Sequence, residues 1–179
     1  MKLTTWNIRG LGSKRKEITL SNRIKEEKSD MVFIEETKYL MEKIREIHNK
    51  WLIKYEYLEV KADNSAGGIL TLWDPQKLGI LDAEASRNYL SLVIQPLGDK
   101  EIYMITSVYG LQKLEDKLKL LTPLEKLRER YPDMPWILVG DFNMIRSLTE
   151  KKGNTRKLGR DSIAFQNFMN NVGLVDTEQ

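Results

Sequence analysis

Short apolar runs alternate with amphipathic stretches along this chain, and glycine, aspartate or asparagine bounds several of the runs. Alternation of this kind is typical of an α/β protein. The apolar runs predict strands over residues 2–6, 31–35, 55–60, 68–73, 79–85, 89–95, 101–109 and 136–140. Apolar positions at helical spacing predict helices over residues 13–28, 40–50, 113–130 and 161–172.

The strands predicted between residues 55 and 109 follow one another through short turns, such as Gly98-Asp99. We therefore expect an antiparallel meander in this part of the chain. Pro123 lies inside the third predicted helix, where it removes a backbone hydrogen-bond donor. It is expected to break or kink that helix and to leave two helical pieces joined at Thr122-Pro123.

The composition narrows the kind of site that this chain can build. Its 179 residues suit a single domain over 1–179 with a substantial core. With no cysteine and only one histidine, His48, the chain has neither a thiolate site nor the ligands for a zinc cluster. Any bound metal would be held by oxygen atoms, which favours a hard cation: Mg²⁺, with Mn²⁺ as an alternative.

The net charge of +3 permits a polyanionic partner without requiring one. Basic residues concentrate in one stretch, where Glu150 is the only acid: Arg146, Lys151, Lys152, Arg156, Lys157 and Arg160. The stretch is either a solvated loop or a contact to a phosphate backbone, and Lys151, Lys152, Arg156 and Lys157 are the candidate nucleic-acid contacts.

No run of residues is apolar enough to span a bilayer, and the first residues lack the apolar run of a signal peptide. We therefore expect a soluble, intracellular protein without a membrane partner. The sequence does not distinguish nucleus from cytoplasm.

Polar residues follow three of the predicted strands. They are Asn7, the pair Glu35-Glu36, and Asp141 with Asn143. Each has a local alternative, because an Asn can shape a turn, adjacent glutamates can form a solvated strand end, and an Asp-x-Asn pair can hydrogen-bond its own loop. Together, however, they predict an oxygen-rich site for a divalent cation.

Five ordered blocks extend this interpretation: WNIRGLG at 6–12, IEETK at 34–38, SAGGILTLWD at 65–74, SVYG at 107–110 and ILVGDFN at 137–143. Block by block the chain resembles the endonuclease domain of plant LINE-type retrotransposons. That domain belongs with the apurinic endonucleases and DNase I in the endonuclease/exonuclease/phosphatase superfamily. The resemblance covers nearly the whole chain.

The resemblance implies a four-layer α/β sandwich, in which two mixed sheets pack face to face with helices outside and the active site lies at one end. It makes Glu36 the principal Mg²⁺ ligand, helped by Asn7 directly or through water. Asp141 and Asn143 would orient the attacking water and the scissile phosphate. Tyr109 would donate a hydrogen bond to a phosphate oxygen.

The chain departs from the family pattern at three places. Glu35 stands where the family often has glutamine, and Leu111 stands where proline is usual. The family's closing Ser-Asp-His-like motif, and an Asp-containing segment before it, have no counterpart up to Gln179. We therefore expect a C-terminally truncated fold that lacks its last strands. Either a second copy closes the gap by pairing with the exposed sheet edges, or the chain folds poorly alone. His48 matches no family motif and is interpreted as structural.

Two functions follow from these residues. The first is Mg²⁺-dependent nicking of DNA by phosphodiester hydrolysis, as retrotransposition requires. The alternative is a catalytically inactive remnant that acts as a nucleic-acid or protein binding module. The retained Asn7, Glu36, Asp141 and Asn143 favour catalytic ancestry, and the missing histidine favours inactivity.

Overall fold

The computed structural model describes residues 1–38, 41–62, 67–147, 150 and 157–176. The chain forms two compact units. The first consists of Met1–Tyr109 and Pro135–Gly140, and the second consists of Gly110–Met134 and Asp141–Gln179. That the whole of 1–179 is one domain stays a prediction.

The first unit begins with a four-stranded sheet. Its strands are β1 (Leu3–Asn7), β2 (Met31–Glu35), β3 (Glu56–Val60) and β4 (Ile69–Trp73), in the order β1-β2-β4-β3. β1 and β2 are parallel and the other pairs are antiparallel, so the sheet is mixed. Because Asn7 pairs with Glu35, the carboxyl ends of β1 and β2 lie at the same edge of the sheet.

Two helices, α1 (Lys14–Glu27) and α2 (Met41–Trp51), cover one face of this sheet. The side chain of Ser13 caps α1 by accepting a hydrogen bond from the Lys16 backbone N–H, and α1 ends where Lys28 turns left-handed. The helices and strands share one hydrophobic core: Ile8, Leu11, Leu20, Ile24, Val32, Ile34, Ile44, Ile47, Leu52, Tyr55, Leu70 and Leu72.

A second sheet has the order β5-β6-β7-β8, with strands β5 (Leu78–Ser86), β6 (Tyr89–Pro96), β7 (Tyr103–Tyr109) and β8 (Trp136–Asp141). β5, β6 and β7 are antiparallel, and a bulge interrupts β5 between Ile80 and Asp82. Met104 contacts Pro135 and Val108 approaches Gly140, so β8 runs parallel to β7.

The two sheets pack face to face within the first unit, through β3 and β4 against β6 and through β2 and β4 against β7. Side chains alternate along β2, so Val32 and Ile34 reach the helices while Phe33 and Glu35 point between the sheets. All five residues of β2 are therefore buried. The predicted α/β class, with two mixed sheets face to face and helices outside the first, is confirmed.

The second unit contains α3 (Leu114–Arg130) and α4 (Arg160–Val172), which pack against each other. Lys117 on α3 forms an ion pair of 2.9 Å with Asp161 on α4. The ring of Phe142 lies 4.9 Å from that of Phe165 on α4.

Two expectations about these elements were wrong. Residues 55–109 do not form one meander, because β3 and β4 belong to the first sheet and β5, β6 and β7 to the second. The chain changes sheets in the turn at Asp74, whose carbonyl accepts hydrogen bonds from Lys77 and Leu78.

Pro123 does not divide α3, which continues from Leu114 to Arg130. Proline leaves the carbonyl four residues earlier without its helical partner, and here that residue is the exposed Lys119. Buried leucines on both sides of Pro123 hold the helix together: Leu120, Leu121, Leu124 and Leu127. In the described part of the chain, no helix combines the length and apolarity needed to cross a membrane.

Candidate active site

The loops that follow β1 and β2 run side by side at one end of the first sheet. Backbone hydrogen bonds join Ile8 to Glu35 at 3.1 Å, Gly10 to Glu36 at 2.7 Å, and Leu11 to Thr37 at 3.1 Å. These bonds extend the parallel pairing past the strands. The polar residues at the two strand ends, Asn7 and Glu36, are therefore held on neighbouring backbone segments.

Glu36 is the central side chain of this strand end. Its Oε1 atom accepts a 2.9 Å hydrogen bond from the hydroxyl of Tyr109, the last residue of β7. Its Oε2 atom lies 3.5 Å from Nζ of Lys38, and 17% of the Glu36 side chain is exposed. Because the two oxygens of a carboxylate offer about four lone-pair sites, Glu36 keeps acceptor capacity for a cation or a water molecule.

Left-handed backbone marks the same loops. In the described residues, the non-glycine positions with positive φ are Arg9, Lys28, Glu36, Lys38 and Asn143, at 49° to 56°. Lys28 ends a helix, where this conformation is ordinary. The other four follow strand ends, and non-glycine residues in this region cost on the order of 1–3 kcal/mol each and cluster at functional sites.

Gly68 allows the loop after β2 to pack closely on the start of β4. The backbone N–H groups of Thr37 and Lys38 donate to the carbonyls of Gly68 and Gly67, at 3.3 and 3.1 Å. A Cβ atom on Gly68 would lie 2.3 Å from Oγ1 of Thr37, and its φ is +88°. Only glycine therefore fits, which gives this part of the 65–74 block a physical role.

The residues present fit a hard cation held by few protein ligands. Glu36 offers a partly exposed carboxylate, and the side-chain oxygen of Asn7 accepts a 3.2 Å hydrogen bond from the Arg9 N–H that orients the amide. Within the described ranges, no three acidic or histidine residues cluster closely enough to hold a metal. A site of one carboxylate, one amide oxygen and several waters suits Mg²⁺ better than cations that need more protein ligands.

A polar layer underlies Glu36, and the sequence interpretation missed it; Glu35 and Ser107 are buried, whereas Thr5 is exposed at the edge strand β1. Glu35 is 1% exposed, and its Oε1 atom accepts hydrogen bonds of 3.1 Å from both Thr5 and Ser107. Thr5 and Ser107 precede Asn7 and Tyr109 by two residues, and in a strand such residues share a face. That spacing is the signal by which they could have been found.

Asp141 ends β8 and Asn143 lies in the tight turn that follows it, and both residues belong to the second unit. Oδ1 of Asp141 accepts a 2.9 Å hydrogen bond from the backbone N–H of Asn143, whose φ is +52°. The Asn143 amide donates to the carbonyl of Gly110 at 2.5 Å and accepts from Gln112 at 2.6 Å. The predicted Asp-x-Asn pair is thus brought together, with its asparagine amide already oriented.

Gly110 makes this turn possible, because a Cβ atom there would lie 2.0 Å from the carbonyl oxygen of Phe142. Its N–H also donates to the carbonyl of Asp141 at 2.6 Å. Leu111, which replaces the usual proline, does not disturb these bonds. Gln112 was not singled out from the sequence, since a lone glutamine after a glycine turn carries no chemical signature.

The remaining candidates are less informative. Lys151, Lys152 and Arg156 lie outside the described residues, and Lys157 is exposed. Arg146 forms an ion pair of 3.6 Å with Asp176. His48 lies on α2, where its Nε2 atom is 2.6 Å from the Tyr55 carbonyl and its ring is 4.6 Å from that of Tyr57. These contacts agree with a structural role for the histidine.

Residues 4–176 match the Endonuclease/Exonuclease/phosphatase family. The chain belongs to this family. An exodeoxyribonuclease from Bacillus subtilis (strain 168) is 23% identical to it over 191 residues, which cover 99% of this chain and 74% of that protein.

Solved structures of similar proteins support the family's fold. The AP endonuclease LMAP from Leishmania major matches with a TM-score of 0.74 at 14% identity, over 96% of this chain and 66% of that one. An endonuclease/exonuclease/phosphatase family protein from Bacteroides thetaiotaomicron matches with a TM-score of 0.65 at 10% identity, over 80% of this chain and 63% of that one. The chain spans less than two thirds of the length of both structures.

Proposed function

We propose that this chain is a Mg²⁺-dependent phosphodiesterase that nicks DNA by hydrolysis, and that it derives from a LINE-type retrotransposon of plants. The contact between the Tyr109 hydroxyl and the Glu36 carboxylate, at 2.9 Å, carries the proposal. It places a hydrogen-bond donor suited to phosphate beside a carboxylate suited to a hard cation. The five sequence blocks support the retrotransposon origin.

Glu36 and Asn7 would hold the cation, with Mn²⁺ as an alternative to Mg²⁺. The bound cation supplies Lewis-acid stabilisation of the charge that develops on the phosphate. The left-handed backbone of Glu36 supports this assignment, because the fold maintains a costly conformation at that residue. The ammonium of Lys38, 3.5 Å from Oε2, adds positive charge beside the carboxylate.

Once a cation is bound by the Glu36 carboxylate, Tyr109 would redirect its single hydroxyl hydrogen from Oε1 of Glu36 to a non-bridging phosphate oxygen. Only 9% of the residue is exposed, and Asn88 fixes its backbone by donating to the Tyr109 carbonyl at 2.9 Å and accepting from its N–H at 2.8 Å. A donor held in this way loses little entropy when substrate binds, which favours stabilisation of the transition state.

Asp141 and Asn143 would orient the attacking water and the scissile phosphate. The Asn143 N–H fixes one carboxylate oxygen of Asp141, so the Asp141 side chain is oriented before substrate arrives. Each role predicts that Asp141→Asn and Asn143→Ala lower turnover. Folding should be retained in Asp141→Asn, because the neutral amide oxygen can still accept the same hydrogen bond.

DNA is the proposed substrate because a B. subtilis exodeoxyribonuclease and a L. major AP endonuclease are among the proteins this chain resembles. The basic residues of the 146–160 stretch support the same choice, since cations that neutralise phosphates supply most non-specific DNA affinity. The family name also includes phosphatases, so a small phosphate ester is the alternative substrate to be tested beside DNA.

Nicking of supercoiled plasmid tests the proposal directly. The wild-type chain should nick in Mg²⁺ and not in EDTA, and Glu36→Gln should lose activity because an amide binds the cation less strongly. Glu26→Ala, at an exposed position on α1, is the control and should nick normally. If the chain hydrolyses a small phosphate ester but does not nick DNA, the substrate is the ester and not DNA. If a folded sample hydrolyses neither, the proposed enzymatic activity is refuted.

The second candidate is an inactive remnant that binds nucleic acid or protein. The ion pair between Lys38 and Glu36 favours it, because an ammonium 3.5 Å from the carboxylate competes with a metal. Salt-dependent DNA affinity without turnover would select this candidate. Replacing Lys151, Lys152, Arg156 and Lys157 by alanine should then weaken binding to all DNA sequences, and unchanged affinity would exclude these residues.

Self-association through sheet edges is a further part of the proposal. No strand pairs with the outer edge of β1 among the described residues, and an unpaired edge is a template for another strand. Beside this edge lies a cavity of about 300 Å³ whose lining includes Trp6, Arg23 and Glu27. Sedimentation velocity at rising concentration should show dimers, and Thr5→Pro should weaken them by removing an N–H from β1.

A further inference from the structure

The carboxyl group of Glu35 is buried between the two sheets, directly below the candidate active site. It follows Ile34 at the end of β2, and only 1% of the residue is exposed. A buried carboxyl group is costly unless hydrogen bonds satisfy it. Here the hydroxyls of Thr5 and Ser107 both lie 3.1 Å from Oε1.

These hydrogen bonds connect three strands and both sheets. Thr5 lies on β1 and Glu35 on β2 in the first sheet, while Ser107 lies on β7 in the second. The bond to Ser107 is thus a polar link across the interface between the sheets. It fixes how β7 is placed along β2 at this end of the first unit.

Each member of this polar layer lies next to a residue assigned to the active site. Thr5 precedes Asn7 by two residues, Ser107 precedes Tyr109 by two, and Glu35 is bonded to Glu36 through the peptide backbone. A shift of β7 relative to β2 would therefore alter the 2.9 Å contact between Tyr109 and Glu36. Apolar packing alone resists such a shift less well, because it is not directional.

We propose that Glu35 is a positioning residue, which sets the placement of Glu36 and Tyr109 by accepting hydrogen bonds from Thr5 and Ser107. This inference rests on the proposed function, since it assumes that Glu36 binds the cation. Groups that orient metal ligands without touching the metal typically change metal affinity by about 10–100-fold when removed.

Titration calorimetry with MgCl₂ alone, on the full chain, measures the effect without depending on turnover. Ser107→Ala should weaken Mg²⁺ binding by about tenfold, at the low end of that range. Ser91→Ala is the matched control, because Ser91 is also buried and hydrogen-bonds a hydroxyl, that of Thr106, at 2.8 Å. It lies on the other face of the second sheet and should leave Mg²⁺ affinity unchanged while lowering the melting temperature by a similar amount.

Substitutions of Glu35 itself separate hydrogen bonding from packing. Glu35→Gln keeps an acceptor oxygen for both hydroxyls and should bind Mg²⁺ nearly as well as the wild type. Glu35→Leu has a similar size without an acceptor, and should weaken binding by about 10–100-fold. If Glu35→Leu fails to fold, Ser107→Ala and Thr5→Val still remove the two hydrogen bonds one at a time.

The outcomes distinguish the two claims. A wild-type chain that binds no Mg²⁺ overturns the proposed function and the positioning role with it. A wild-type chain that binds Mg²⁺, beside Ser107→Ala and Glu35→Leu variants that bind equally well, overturns the positioning role alone. Weaker binding in both variants, with Ser91→Ala and Glu35→Gln unaffected, supports the role.

Discussion

At the end of the first sheet where β1 and β2 finish, Glu36 holds its carboxylate on left-handed backbone with one hydrogen bond from Tyr109. At the opposite end, Asp30 directly precedes β2. It accepts a 2.7 Å hydrogen bond from the Lys2 N–H and a 2.5 Å contact from Nζ of Lys77. Each carboxylate therefore has two partners, Tyr109 and Lys38 for Glu36 and Lys2 and Lys77 for Asp30. Only Glu36 is held on left-handed backbone, so the conformational cost lies at one end of the sheet.

The protonation of carboxylates differs between these ends as well. Burial raises the pKa of Asp30, but hydrogen bonds from Lys77 and from the Lys2 N–H outweigh it and leave the pKa below its ordinary value. Near the active-site end, Glu59 on β3 has a raised pKa, mainly because of burial. The contrast predicts that one end of the sheet contributes mainly to stability and the other to the proposed chemistry, so substitutions at the two ends should have separable effects.

The largest expected effect comes from Glu36. Both Glu36→Ala and Glu36→Gly remove the proposed metal ligand, and nicking should fall by a factor on the order of 10³, which corresponds to about 4 kcal/mol. Glu36→Gly should nevertheless be more stable than Glu36→Ala by about 1 kcal/mol, because φ is +54° and glycine adopts that conformation freely. Urea unfolding of both variants measures the difference.

Equal or greater stability of Glu36→Ala would mean that residue 36 is not left-handed in solution. Retained nicking in either variant would show that Glu36 is not required for hydrolysis, whatever its backbone conformation.

Tyr109→Phe should have the next largest effect. Loss of a positioned donor typically costs about 10²-fold in turnover, and the loss of its hydrogen bond to Glu36 should cost about 1 kcal/mol of stability. The control is Tyr89→Phe on β6, which removes another tyrosine–glutamate hydrogen bond, to Glu84 at 2.6 Å. Urea unfolding should show similar losses of stability in both variants. Plasmid nicking should be reduced only in Tyr109→Phe.

The positions at which the strands of the first unit end could be predicted from the sequence, for a physical reason. Strands such as Met31–Glu35 read as apolar runs because both faces are buried, and the polar residue that ends each run marks the edge of the sheet. Asn7, Glu36 and Tyr109 could therefore be placed at strand ends from local pattern alone. The fold class followed from the same alternation.

What could not be predicted depends on partners distant in sequence. The link from Glu35 to Ser107 joins residues 72 positions apart, and nothing local to either one indicates it. The change of sheets after β4 was missed because a short turn can either continue a sheet or leave it. Pro123 was misjudged because buried leucines on α3 outweigh the loss of one hydrogen bond.

Asp30→Asn should lower stability by about 1–2 kcal/mol at pH 7 without affecting nicking, because the charged hydrogen bond to Lys77 is lost. A depressed pKa in the folded state gives stability that is present above the unfolded pKa of about 3.9 and is lost as pH falls through the folded pKa. The stabilities of wild type and Asp30→Asn should therefore converge as pH falls through the folded-state pKa of Asp30. A difference that stays constant as the pH is lowered would assign the effect to the shape of the side chain instead of its charge.

Glu59→Gln should have the smallest effect and the opposite sign. Burial raises the pKa of Glu59, and the nearby Glu42 raises it further against the opposing effect of Lys61. The folded state then binds the proton more tightly than the unfolded state, so the wild type loses stability as pH rises from about 4.3 through the raised pKa. Glu59→Gln removes that loss and should be more stable than wild type by a few tenths of a kcal/mol at pH 7.

Melting temperatures measured from pH 4 to 7 should show this difference growing with pH, while the loss of stability in Asp30→Asn is already complete over most of that range. If the difference in melting temperature between Glu59→Gln and wild type shrinks towards pH 7, the pKa of Glu59 is not raised in the folded state. The carboxylates at the two ends of the sheet would then not differ in the direction of their pKa shifts.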